Sequence, residues 1–273
     1  MLADGAESRI DLSSLESFTG NSLYLATLEA ANGGTVLNGS LKYISNVHIT
    51  VNDNANISTA MLEILIVSKI TANRTVVDLS ALTSADTTSF VAKEGARILV
   101  NQLTSYRLGL NPQGLGYTAQ FEADGVGSRI ELRSLKMFEG NAANFSTSTQ
   151  NIRAQNGGVI DLSALQTITG GRINMLADGA ESRIDLSSLE SFTGNSLYLA
   201  TLEAANGGTV LNGSLKYLSN VQITVNDNAN ISTTTLEILM VSKITANRTV
   251  VDLSALTRRI QPPSWRRRVH EFW

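Results

Sequence analysis

The sequence predicts an all-β protein, a single-domain parallel β-helix (β-solenoid) of about eleven turns. A short apolar motif returns every 20 to 32 residues, and a cluster rich in Gly, Asn or Asp precedes most of its copies. Repeats of this length are too short to bury an apolar face alone, so they must stack on one another. Charged residues are scarce, at 16%, whereas 42% of the chain is apolar. The chain therefore holds enough apolar material for a continuous core.

The chain also contains a long internal duplication. Residues 1–83 recur at 175–257, which is a shift of 174 residues, and the copies differ at five positions. The five exchanges are Ile44/Leu218, His48/Gln222, Ala60/Thr234, Met61/Thr235 and Ile66/Met240. Two of them replace one large apolar residue by another, as buried positions tolerate best. We therefore expect Ile44 and Ile66 in the core, and seven turns in each 174-residue super-repeat.

Each copy of the short motif has three apolar anchors, as in Ile10, Leu12 and Leu15. The first two alternate with a polar residue, which is the pattern of a strand with one face inward. The first anchors of the eleven copies are Ile10, Val36, Ile57, Val77, Ile98, Ile130, Ile160, Ile184, Val210, Ile231 and Val251. A second apolar stretch follows each motif, so each turn is predicted to contain at least two strands.

Turn residues stand just before most of these strands. Examples are Asp4-Gly5, Asn32-Gly33 and Asn156-Gly157. These pairs readily adopt positive φ, so they are predicted to form the corners between the faces of the coil. A leucine-rich repeat is the main alternative, but it needs a longer leucine pattern with an internal Asn or Cys, and only the turns of Asn38 and Asn212 come close to it.

Two stretches carry a resemblance to a known group of proteins. They are residues 156–165, Asn-Gly-Gly-Val-Ile-Asp-Leu-Ser-Ala-Leu, and residues 182–189, Ser-Arg-Ile-Asp-Leu-Ser-Ser-Leu. They resemble the repeats of large bacterial surface and secreted β-helix proteins, of the adhesin or autotransporter-passenger type. The resemblance covers residues 1–257, and it implies a right-handed coil in a parent protein that is extracellular or at the cell surface. It includes no catalytic or receptor-binding signature.

The sequence divides into a solenoid over 1–257 and an aberrant basic tail over 258–273. The tail holds five arginines and both tryptophans of the chain. It has the composition of a basic arm for a membrane or nucleic acid. A truncated or frameshifted reading frame is the alternative that we favour, because Met1 matches Met175 in the middle of the array. The start also lacks a signal-peptide pattern. We therefore expect a fragment of a longer rod.

An acidic residue follows the first anchor in six turns, on the predicted outer face. These residues are Asp11, Asp78, Glu131, Asp161, Asp185 and Asp252. The third, fourth and fifth of them fall on consecutive turns and are expected to stack as a ladder. Arg9, Arg129 and Arg183 each lie two residues before an acid, on the same face, so we expect ion pairs. A calcium-type site is the alternative; no metal site and no cofactor is predicted.

The two longest turns, within residues 104–153, are read as carrying inserted loops and supply the candidate ligand-binding residues. These are Tyr106, Arg107, Tyr117 and Glu122, because aromatic side chains beside charged ones suit a sugar. A surface glycan or polysaccharide is accordingly the expected ligand. With His48 and His270 as the only histidines, a histidine-based triad lacks material, and no catalytic residue is predicted.

The functional prediction is a non-enzymatic structural or adhesive rod. The alternative is a polysaccharide-binding module, lyase or hydrolase that uses the 104–153 loops. A net charge of −3 and the lack of a phosphate-binding glycine loop argue against nucleic acid. No apolar run is long enough to span a membrane. The ends of a solenoid expose unpaired strand edges, so end-to-end self-association is also predicted.

Overall fold

The computed structural model describes residues 1–21, 24–109, 118–140, 148–226 and 228–260. These residues form short strands joined by turns and bends, and they contain no helix, so none of them belongs to a helix that could cross a bilayer. The strands build parallel sheets that run along a single-domain rod of about ten turns. The predicted all-β solenoid is therefore confirmed, with a length of roughly 50 Å at about 4.8 Å per turn.

Sheet I contains the longest strands. Its strands are Leu2–Asp4, Ala26–Ala31, Val47–Asn52, Lys69–Asn73, Ser89–Lys93, Thr118–Asp124, Thr149–Gln155, Arg172–Asp178, Ala200–Ala205, Val221–Asn226 and Lys243–Asn247. Their side chains alternate between core and surface, so inward residues of successive turns lie above one another. One such stack runs through Leu28, Ile49, Ile70, Phe90 and Phe121, all fully buried.

Sheet II contains the strands of the repeated motif, and its backbone pairing is interrupted between the third and the fourth strand. Its strands are Arg9–Asp11, Thr35–Leu37 and Asn56–Ile57, then Val76–Asp78, Arg97–Leu99, Arg129–Glu131, Val159–Asp161, Arg183–Asp185, Thr209–Leu211 and Asn230–Ile231. The first anchors stack inward, as in Ile130, Ile160 and Ile184, which confirms the inward face of the motif. Across the interruption, Thr59 Oγ1 donates a hydrogen bond of 2.6 Å to the carbonyl oxygen of Asp78.

Sheet III provides a third strand in each turn. Its strands are Ser17–Thr19, Tyr43–Ser45, Ile64–Ile66, Ser84–Asp86, Ser105–Arg107, Met137–Glu139, Thr167–Thr169, Ser191–Thr193, Tyr217–Ser219, Ile238–Met240 and Arg258–Ile260. Ile44 is buried here, as predicted, but Ile66 is only half-buried. The prediction for Ile66 was wrong because Leu65 faces the core, and the next residue of a strand faces the other way.

The corners between sheet I and sheet II have the predicted backbone. Asn32 and Gly33 have φ of 50° and 82°, and Asn156 and Gly157 have φ of 53° and 86°. The next glycine is required for a different reason, because a Cβ on Gly158 would lie 2.0 Å from the carbonyl oxygen of Ala123. Only a residue without a side chain permits this contact between corner and strand.

The solenoid continues three residues beyond the predicted boundary at Thr257. Arg258–Ile260 pairs in parallel with Ile238–Met240, as Ser84–Asp86 pairs with Ile64–Ile66 in the first copy. Pairing survives the change of sequence because the ladder uses backbone groups. The rest of the predicted tail, 261–273, lies outside the described residues.

Candidate functional site

The turns differ in length mainly at the corner that joins sheet III to sheet I, here called the III–I corner. One residue, Asn46, makes this connection between Ser45 and Val47, whereas the connections at 108–117, 140–148 and 194–199 are ten, nine and six residues long. The two longest turns therefore contain the two longest connections between sheet III and sheet I, whereas the described strands within 104–153 keep their places in the sheets. Long connections on a rigid scaffold are the usual location of binding residues.

Tyr106, a predicted sugar-binding residue, lies in the core. Its ring packs against Phe121 and Phe138, with centroids 5.0 and 4.8 Å apart. Its hydroxyl donates to the carbonyl oxygen of Thr88 at 2.8 Å and lies 3.0 Å from Gln150 Oε1. Burial raises the pKa of Tyr106 well above its usual value. The ring is fully enclosed, so it has no surface for a ligand.

The other predicted sugar-binding residues do not meet at one place. Arg107 lies in sheet III, with Nε 3.8 Å from Asp86 Oδ2. Glu122 lies in sheet I, where Lys93 Nζ is 3.1 Å from its Oε1. Tyr117 lies outside the described residues. The structure thus places Arg107 and Glu122 on two different faces of the rod.

A groove is present instead at the III–I corner, further along the rod. It has a volume of about 430 Å³ and is lined by Glu139, Gly140, Thr169, Gly170, Thr193, Gly194, Asn195, Ser196 and Asn220. Four successive sheet III strands end at this groove. Sequence reasoning missed the groove, although a glycine directly after three of these strands was a readable signal.

The acidic residues of sheet II stack as a ladder in the middle of the rod. Glu131, Asp161 and Asp185 lie in register on three neighbouring strands. Arg183 pairs with Asp185 at 2.6 Å, and Arg9 pairs with Asp11 at 3.4 Å, as predicted.

The predicted pair between Arg129 and Glu131 does not form, because other cations occupy the carboxylate. Arg97 Nη2 is 2.5 Å from Glu131 Oε1, and Arg133 Nη2 is 3.1 Å from Oε2. Arg133 Nε also donates to Asp161 Oδ2 at 2.7 Å. One arginine therefore bridges two steps of the ladder, and the Glu131 carboxylate is nearly inaccessible to solvent.

A second role of the aspartates is to close the turn that follows the strand. Asp161 Oδ1 accepts a hydrogen bond from the backbone N–H of Ser163 at 3.1 Å. The same Asp-to-Ser bond occurs at Asp11, Asp78, Asp185 and Asp252. Such local bonds stabilise tight turns. The Asp-Leu-Ser spacing of these copies was the signal in the sequence.

These contacts change the acidity of the aspartates. A side-chain hydrogen bond from Ser13 lowers the pKa of Asp11. Burial alone would raise the pKa of Asp161, but hydrogen bonds from Ser163 and Arg133 outweigh it and lower the pKa. Within the described part of the chain, no group of three or more His, Asp or Glu side chains is placed to hold a metal ion.

Two asparagines are fully buried in the core. Asn38 and Asn212 occupy the second-anchor position, and their side-chain amides have no hydrogen-bond partner among the described residues. Both are sealed inside the coil, so they belong to the core rather than to a surface site.

Comparison of the chain with protein-family models, with curated proteins and with solved structures finds no match. The repeat fold follows from the sheets described above. A fold of this kind does not by itself assign an activity. Function is therefore inferred from the geometry of this chain.

Proposed function

We propose that this protein is a non-enzymatic structural rod that holds surfaces at fixed distances along one axis. The observation that carries the proposal is the continuity of sheet I across the internal duplication. Arg172–Asp178, where the second copy begins, pairs with Thr149–Gln155 on one side and with Ala200–Ala205 on the other. Stacked repeats that contact only their neighbours form extended, stiff bodies.

The use of the acidic residues supports this proposal over an enzyme. Catalytic carboxylates need a shared cleft, with a substrate between them. The carboxylates of the ladder instead close turns or pair with arginines. Arg107 and Glu122 each lie beside an opposite charge on separate sheets.

The proposal also concerns the cellular location of the rod. The turns resemble those of bacterial surface and secreted β-helix proteins, so we infer that this rod is extracellular and adhesin-like. Stacked parallel strands need no disulfide, and the chain contains no cysteine.

Lengthening the chain by one super-repeat tests the rod directly. A variant that repeats residues 84–257 after Thr257 reproduces the natural Thr83–Ser84 junction. Seven added turns should lengthen the particle by roughly 34 Å, as small-angle X-ray scattering would show in its maximum dimension. The parent chain is the reference. An unchanged length, or a second particle joined flexibly to the first, would contradict a continuous rod.

A screen for polysaccharide degradation tests the enzymatic alternative. We expect no turnover by the parent chain, because the residues that the structure describes place no cluster of acid and base around a cleft near Tyr106. Turnover that is abolished in Glu122→Gln or Arg107→Gln would overturn the structural proposal. Thermal melting of both variants would verify that each remains folded.

A further inference from the structure

We propose that the groove at the III–I corner binds a neutral oligosaccharide. This inference goes beyond the structural role proposed above and does not depend on it, since a rod can extend without binding a glycan. The site also differs from the one predicted around Tyr106 and Glu122.

The groove has the size and the chemistry of a sugar site. Its volume of about 430 Å³ lies in the range of small-ligand pockets. Thr169, Thr193, Asn195, Asn220 and Glu139, which carry hydroxyl, amide and carboxylate groups, are among the residues that line it. Amides both donate and accept hydrogen bonds, and a carboxylate accepts them from hydroxyl groups. A sugar combines hydroxyls with apolar C–H faces, so it matches a lining that is apolar in its larger part and carries these polar groups.

Asn195 supplies free hydrogen-bond donors to the groove. The residue is 4% exposed, and its Oδ1 accepts hydrogen bonds from the backbone N–H groups of Leu197 and Tyr198 at 2.8 and 3.2 Å. Its Nδ2 makes no hydrogen bond to any residue that the structure describes. This nitrogen remains accessible in the groove, so both of its N–H groups are available to donate to a ligand there.

The charges around the groove favour a neutral ligand over an anionic one. Glu139 is the charged side chain in the lining, and no cation lies within ion-pair distance of it among the residues that the structure describes. The guanidinium of nearby Arg172 lies over the ring of Tyr198, 5.7 Å from the centroid. Arg107, the register neighbour of Glu139 on the adjacent strand, lies instead beside Asp86. A uronic acid or a phosphate would therefore meet a carboxylate with which no described cation is paired.

The duplication leaves the groove incomplete in the first copy, which supplies a matched control. Asn21 occupies the position of Asn195, since 195 minus 174 is 21. Ser17–Thr19 is the first sheet III strand of the described residues, so no turn beneath it corresponds to Glu139 or Thr169. The same loop sequence thus occurs once beside the full lining and once without it.

The test is a printed glycan array of neutral and uronic-acid oligosaccharides, followed by calorimetric titration with the neutral oligosaccharide that gives the strongest signal. We compare the parent chain with Asn195→Asp, Glu139→Gln and Asn21→Asp. Asn195→Asp keeps the Oδ1 acceptor for the loop but removes both Nδ2 donors and adds a charge. We expect it to weaken binding at least about tenfold, as the loss of hydrogen bonds in a buried site requires.

Glu139→Gln should also weaken binding, whereas Asn21→Asp should match the parent chain. Thermal melting distinguishes lost binding from lost folding, and the partly exposed Glu139 keeps the test valid if Asn195→Asp does not fold. The proposal is overturned if no neutral glycan binds, if acidic glycans bind more tightly, or if Glu139→Gln and Asn195→Asp both bind like the parent. If the groove binds no glycan, the proposal of a structural rod still stands, because the scattering measurement of particle length tests it separately.

Discussion

At the scale of single residues, the core contains a polar exception that occurs at the same place in both copies. Most turns carry leucine at the second anchor, but Asn38 and Asn212 carry an amide there. Both side chains are fully buried without a hydrogen-bond partner among the described residues. An unpaired buried amide loses its hydration and gains nothing in exchange.

Replacing Asn212 by leucine should therefore stabilise the protein. We expect Asn212→Leu to raise the free energy of unfolding by about 1–2 kcal/mol, measured by urea denaturation. The reverse exchange one turn earlier, Leu186→Asn, is the matched control and should lower the free energy of unfolding. A lower stability of Asn212→Leu would show that the amide has a partner that the leucine cannot replace.

Val67 shows a residue-scale feature that local sequence would not suggest. Its φ is 46°, and Val241 in the second copy has the same value. Valine is strongly disfavoured in the left-handed region. Asn46, at the same corner one turn earlier, has φ of 56°. The stacking of corners imposes this conformation on Val67, because its N–H must reach the carbonyl oxygen of Asp86 in the next turn.

At the scale of the element, the strand and the turn after it act as one unit. Asp161 ends its strand, closes the next turn through Ser163 and pairs with Arg133 from the preceding turn. The pKa of Asp161 is lower in the folded chain than its ordinary value of 3.8. The ionised carboxylate therefore stabilises the folded state, fully above pH 3.8, and this stabilisation is lost as the pH falls through the lowered pKa.

Removing this carboxylate should give a pH-dependent loss of stability. We expect Asp161→Ala to lower the free energy of unfolding by about 1–2 kcal/mol at pH 7. The difference from the parent chain should shrink as the pH falls below 3.8. Urea denaturation at several pH values measures both effects. Asp161→Asn keeps an oxygen for the Ser163 N–H, so its free energy of unfolding should fall less than that of Asp161→Ala. If Asp161→Ala differed from the parent chain by the same amount at every pH, the role of the charge would be refuted.

At the scale of the whole molecule, identical sequences have different environments. The strand Lys69–Asn73 is paired on both sides. Its copy, Lys243–Asn247, is paired on one side in the described structure. Ile70 is accordingly fully buried, whereas Ile244 is only partly buried. Position along the rod, and not sequence, makes this difference.

Amide hydrogen exchange should reveal this difference. We expect the amides of 243–247 to exchange at least about tenfold faster than those of 69–73, because unpaired strand edges open more readily. The Ile66/Met240 difference gives peptides of distinct mass for the two copies. As a control, Val47–Asn52 and Val221–Asn226, which His48 and Gln222 distinguish, are both paired on two sides. The exchange rates of these two control strands should be closer together. Equal rates for 69–73 and 243–247 would contradict the effect of the unpaired edge.

The sequence by itself determined the features that depend on neighbouring residues. Alternation within the motif predicted that Ile130 and Ile160 face inward, because a strand has a period of two. The Asn32-Gly33 pair predicted a corner, because these residues adopt positive φ at little cost. Local preference was therefore enough to predict the coil and its turns.

Only the tertiary structure decided which side chains from different turns meet. Tyr106 resembled a surface residue in the sequence, but the register places it among Phe121 and Phe138. Glu131 pairs with Arg97 from the preceding turn instead of Arg129, and Glu139 meets Asn195 across a groove. These residues are 15 to 56 positions apart in the chain. Stacking alone brings them together, since its register depends on the length of every intervening turn.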